Sequence, residues 1–108
     1  NAGLSSATKS HTINSISGDL SPGATEGFGA QGTSVAQSFG GPLSIVAPYN
    51  VSSSNVGIIN SSVREIFSAS LPITGGLGTL VLKAKSISLT PAATDYSELL
   101  TVIASGSF

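Results

Sequence analysis

Cysteine, methionine and tryptophan are absent from the 108 residues, and there is one histidine. Without Cys there is neither a disulfide framework nor a thiolate metal site. Such a domain must hold together through its core, its hydrogen bonds and its neighbours. Charge is the next shortage. Four Lys plus Arg and five Asp plus Glu make 8% charged residues and a net charge of −1, where an ordinary soluble domain carries roughly 25%. So few cations cannot neutralise a phosphate backbone, and nucleic acid is not an expected partner. No apolar run reaches the roughly 18 residues of a membrane-spanning helix, so no membrane span is expected. Residues 1–20 are polar and Ser-rich, unlike the long apolar helix through which some pilins assemble. The sequence opens on Asn1 rather than Met. That is the expectation for a protein exported after removal of a signal peptide, and an extracellular or cell-surface location is the reading that follows.

What is present is neutral and β-like. Hydrophobic residues make up 40%, enough for a core, and 21 Ser with 9 Thr supply the polar balance. Thirteen Gly and five Pro punctuate the chain at the spacing of short strands in a sandwich. One domain is expected, of all-β class: an immunoglobulin-like β-sandwich over residues 21–108 preceded by an extended N-terminal arm, residues 1–20. Strands are expected around residues 33–39, 43–47 and 51–60, the first two ended by Gly40-Gly41-Pro42 and Pro48. A long strand over residues 79–90 places Leu80, Leu82 and Ala84 on one face. Residues 62–74 fit either a capped helix or a strand. The Ser-rich context favours the strand. Residues 96–108 are apolar on both faces, the pattern of a strand covered on both sides by another sheet or another molecule.

The motifs that could carry chemistry are weak. Gly27-Phe28-Gly29-Ala30-Gln31-Gly32 fits the dinucleotide pattern, but that pattern needs a strand before it and a helix after it. Here a Ser-Pro-Gly turn precedes and a strand follows, so a glycine-rich loop or bulge is expected. Leu71-Pro72-Ile73-Thr74-Gly75 resembles a wall-sorting signal but lacks the apolar tail, and reads as a strand running into a Gly turn. Asn50-Val51-Ser52 and Asn60-Ser61-Ser62 make Asn50 and Asn60 candidate glycosylation acceptors. Catalysis has one imidazole, His11, and five scattered acids: Asp19, Glu26, Glu65, Asp95 and Glu98. No nucleophile elbow or ligand cluster accompanies them, so no enzymatic activity, cofactor or metal is expected.

Residues 91–102, Pro-Ala-Ala-Thr-Asp-Tyr-Ser-Glu-Leu-Leu-Thr-Val, followed by the terminal Phe108, resemble the last-strand signature of chaperone–usher-type fimbrial pilins. In that family each subunit is a sandwich short of one strand, and a neighbour's N-terminal arm fills the gap by β-augmentation. The resemblance implies a structural subunit of an extracellular filament whose partners are copies of itself. Leu4, Ile13, Ile16 and Leu20 would be the knobs of the donated arm, and Tyr96, Leu100, Val102 and Phe108 would line the groove. Twenty residues extended at roughly 3.3 Å each reach about 65 Å, enough to cross a neighbour's sheet. Two other readings stand beside it: a virion or phage tube or decoration protein, and a carbohydrate-binding or adhesin module with surface glycans as partners. The second has little aromatic surface to offer.

Overall fold

The computed structural model of the chain describes residues 3–106. It is all-β, with no helix among the described residues. Ten strands follow in order: β1 (Gly3–Ser6), β2 (His11–Asn14), β3 (Gly18–Asp19), β4 (Gly27–Ala36), β5 (Phe39–Gly40), β6 (Leu43–Ile45), β7 (Asn55–Val56), β8 (Phe67–Ala69), β9 (Ile73–Thr74) and β10 (Leu77–Lys85). They pair antiparallel two by two, β1 with β2, β3 with β7, β4 with β10, β5 with β9 and β6 with β8. The pair β4–β10 is the spine, in register from Leu77↔Ala36 to Lys85↔Gly27, with a bulge where Thr79 and Leu80 meet Ser34 and Gly32. Thr33 is the extra residue of that bulge, and it lies in β4.

The body is elongated, 48 × 25 × 19 Å, and its core is small. Its buried apolar side chains are Ile13, Leu20, Phe28, Ala30, Tyr49 and Val56. Tyr49 is the pin. Its amide donates to Val46 O (2.9 Å), its carbonyl accepts from Gly32 N (2.8 Å), and its hydroxyl donates to Ile58 O (2.5 Å). Buried polar groups are all partnered among the described residues. Ser15 Oγ donates to Phe28 O (3.0 Å) and accepts from Ile59 N (2.7 Å). Gln31 Nε2 donates to Ser53 O and Asn55 O (3.2 and 2.9 Å). Together these bonds tie Ser15, Ser53, Asn55 and Ile59 to β4.

Two sequence expectations shift, and one open choice falls to the favoured strand. The glycine-dense stretch is the first half of β4 itself and not a loop. Its glycines admit neighbours, since a Cβ on Gly29 would stand 2.7 Å from both Gly57 O and Val56 Cβ. Gly29→Ala is therefore expected to lower stability by about 1–3 kcal/mol through overpacking, read as a lower urea midpoint. Gly23→Ala, which meets nothing within 4 Å, should leave the midpoint in place. An unchanged midpoint for Gly29→Ala would contradict this packing. Next, the long strand stops at Lys85, and residues 87–90 form a turn closed by Thr90 N to Ile87 O (3.0 Å) and Ile87 N to Thr90 Oγ1 (2.9 Å). Finally, residues 62–74 contain strands β8 and β9, and Gly75 follows with φ +65°.

The largest departure concerns residues 3–20, expected as an extended arm. They form the β1–β2 hairpin, in which Leu4 pairs with Ile13, and then run on past Ile16 to β3. Ser10, at φ +50°, makes the tight turn, with Ser10 N donating to Ala7 O (3.3 Å). The physical reason is the pairing of apolar residues with the core: Ile13 and Leu20 are buried in their own chain, and Ile16 and Leu20 pack over Gly27.

Candidate subunit interface

β10 has one partner. Its inner edge carries the full ladder to β4, and the other edge makes no backbone hydrogen bond among the described residues. By contrast, the far side of β4 is closed by Ile16 N to Phe28 O, the Ala30–Gly57 pair and Gly32 N to Tyr49 O. A nine-residue open edge is a template for another strand unless something guards it. The usual guards are charge and proline. Leu77-Gly78-Thr79-Leu80-Val81-Leu82 has neither. The two lysines at the end of the strand are turned back on their own chain: Lys83 Nζ donates to Ser53 O, and Lys85 Nζ to Ser21 O and Pro22 O. Their stems thus cover the body while Leu82 (47%) and Leu77 (65%) remain exposed. Of the residues expected on one face, Leu82 and Ala84 are exposed and Leu80 is half-buried.

Of residues 96–108, expected as a strand covered by another sheet or another molecule, the stretch 98–106 forms no strand. Ser97 makes a two-bond bridge with Ser5 (3.0 Å each way), and beyond it no backbone–backbone hydrogen bond is made among the described residues. Leu99 and Val102 are 87% and 88% exposed, and Ile103 is exposed too. A groove of about 270 Å³ runs between this segment, residues 59–66 and β10, lined among others by Tyr49, Ile59, Val63, Leu80, Leu100 and Val102. Of the expected groove residues, Leu100 and Val102 therefore line an open groove rather than a dry one. Tyr96 lies apart, with its hydroxyl donating to Pro91 O (2.7 Å) and its ring edge-on to His11. Phe108 lies outside the described residues. Of the expected arm residues, Leu4 and Ile16 are half-buried and Ile13 and Leu20 buried, so none projects from the body as a knob.

A polar staple fastens the start of this C-terminal segment. The Asp95 carboxylate accepts from Ser6 Oγ (2.5 Å), Thr8 N (3.0 Å) and Thr8 Oγ1 (2.8 Å). These bonds, Ser6 foremost, hold its carboxyl down at about 2, against 3.8 ordinarily. Glu26 Oε1 accepts from Thr90 Oγ1 (2.5 Å) and His11 Nε2 (2.9 Å), and its pKa is lowered by Thr90 first and His11 second. The Thr90 proton is thus engaged by the carboxylate and not by the imidazole, so the trio ties three segments together and forms no nucleophile–base pair. Both acids are depressed. Their contribution is present above the unfolded pKa values, 4.5 for Glu26 and 3.8 for Asp95, and is lost as pH falls through the folded values. Thermal melts should accordingly hold level down to about pH 4.5 and fall from there toward pH 2, and Asp95→Asn should flatten that fall. An identical acid profile in the variant would contradict the assignment.

The two sequons differ in setting. Asn50 is exposed beside Tyr49, while Asn60 is half-buried and its Oδ1 accepts from Ser62 N (3.1 Å) and Arg64 Nε (3.3 Å). No family model, curated protein or solved structure matches the chain. What the chain does must therefore be argued from its own surface.

Proposed function

We propose that the chain is a structural subunit of an extracellular filament, a homopolymer in which copies share strands across open sheet edges. The observation that carries this reading is the unguarded outer edge of β10. An immunoglobulin-like sandwich is then the completed form, in which a strand from a neighbour extends the β4–β10 pair.

The surface area supports the same reading. A compact monomer of 10.6 kDa exposes about 5,500 Å², and this chain exposes 6778 Å². The excess of about 1,300 Å² falls within the range of a specific protein–protein interface. The radius of gyration agrees, at 15.8 Å against about 13 Å for a compact chain of this length. Energetically, a strand added along nine residues forms about eight backbone hydrogen bonds, each worth about 1 kcal/mol net. Association costs roughly 4–15 kcal/mol, so the ladder alone only breaks even. The decision falls to the exposed Leu, Val and Ile side chains, at about 1.5–3 kcal/mol each when fully buried. A neutral Ser/Thr/Gly exterior adds little desolvation cost and, at net charge −1, little repulsion between copies.

The test is direct. Purified protein at neutral pH, concentrated and viewed by negative-stain electron microscopy, is expected to form filaments of uniform width. A single sedimenting species near 10.6 kDa at every concentration up to the millimolar range would reject the proposal.

A further inference from the structure

We infer that the strand donated to the open edge of β10 is the C-terminal segment, residues 99–106, of a second copy, and not the N-terminal hairpin. This rests on the filament reading and names the partner of its interface. The hairpin is committed. Its strands pair with each other, Ser5 is bridged on its other side by Ser97, and Ile13 and Leu20 are buried. Donating it would open the core of the donor.

The C-terminal segment carries no such commitment. Leu99-Leu100-Thr101-Val102-Ile103 is rich in strand formers and free of Gly, Pro and charge, yet it has no strand partner among the described residues. Its side chains are apolar on both faces, and the large ones are exposed. Such a segment is stable as a strand only when a sheet edge and an apolar surface meet it together. Among the described residues β10 offers the longest edge of that kind. Eight residues at roughly 3.3 Å span about 26 Å, which matches the nine-residue length of β10. The exposed side chains Leu77 and Leu82 stand along that strand, and the groove lined by Leu80 and Val63 runs beside it. Neither strand carries a charge over the paired stretch 77–82, so antiparallel or parallel addition meets no like-charge contact. The area a stable contact needs is available in the surplus surface described above.

One copy thus offers a strand and an edge, both flanking the groove lined by Leu80 and residues 98–103, and each can engage a different neighbour. A contact of that kind is heterologous, and unless its rotation closes a ring it propagates as an open filament. The Asp95 staple to Ser6 and Thr8 fixes where the donated segment leaves the body. Residues 99–103 lie along the groove beside β10 without strand pairing of their own among the described residues.

The experiment uses the full chain as wild type, Val102→Asp and Leu89→Asp. Both positions are exposed, so both variants should keep the far-UV spectrum and melting temperature of the wild-type monomer, but Leu89 lies in the turn outside the proposed contact. Val102→Asp is expected to lower the pelletable fraction at least tenfold while Leu89→Asp assembles as wild type. A synthetic peptide of residues 97–106, added in excess to wild-type monomer, should cap the edge and cut assembly by a similar factor, and the same peptide with Val102→Asp should not. Filaments from Val102→Asp at wild-type yield, or equal losses in both variants, would overturn the C-terminal donor and leave the filament reading standing. A wild-type chain that never assembles would overturn the filament reading and this inference with it.

Discussion

Tyr49→Ala should leave the chain without a cooperative unfolding transition at 25 °C. Among the described residues six apolar side chains form the buried core, and Tyr49, at 1% exposure, is the largest of them. Truncating a buried aromatic to Ala costs about 3–5 kcal/mol, while a domain of this length has about 5–15 kcal/mol in total. A small core and a surplus of exposed surface place this chain toward the lower end of that range. The substitution also orphans Ile58 O, which accepts the phenol, and opens space against Gly57, whose Cα packs on the ring. Tyr49→Phe separates the two contributions. It keeps the ring and loses one hydrogen bond, so about 1 kcal/mol is expected. Urea titration followed by circular dichroism reads both. A Tyr49→Ala chain that unfolds within about 1 kcal/mol of wild type would show that the core is not centred on this residue.

The position of Tyr49 also shows how far the sequence could be read. The all-β class was legible, because Ser, Thr and Val crowd the chain while few Lys, Arg or Glu are available to lace helix faces. The turn at Gly75 and the strand approaching it were legible for the same local reasons. Tyr49 was not marked as core, because a lone aromatic between Pro48 and Asn50 carries no periodic signal. Its burial comes from contacts with Gly32, Gly57 and Ile58, distant in sequence. The glycines of β4 misled in the same way. Composition suggests a loop, but close approach of Val56 and Ile45 fills the space that side chains would take.

The candidate interface was half legible. The C-terminal stretch reads as a strand apolar on both faces, and that pattern is real. What sequence cannot say is which molecule supplies the cover. The chain's own fold leaves Leu99 and Val102 open, so the pattern points outward. The N-terminal residues showed the opposite failure. Their spaced Ile and Leu looked like donor knobs, and hairpin closure at Ser10 turned them inward. Along β10 each lysine ammonium reaches a loop carbonyl, while Leu77 and Leu82 stay exposed and Leu80 is half-buried.

The central claim is that the outer edge of β10 is open in the single chain and filled in the assembly. Hydrogen–deuterium exchange on both forms measures this amide by amide. In the monomer the outward-pointing amides of residues 77–85, every second one in an antiparallel pair, should exchange as freely as an unpaired edge, with an opening free energy near zero. In filaments those same amides should gain several kcal/mol of protection, and residues 99–103 should gain it with them. Protection that appears elsewhere while residues 77–85 exchange alike in both forms would contradict the account.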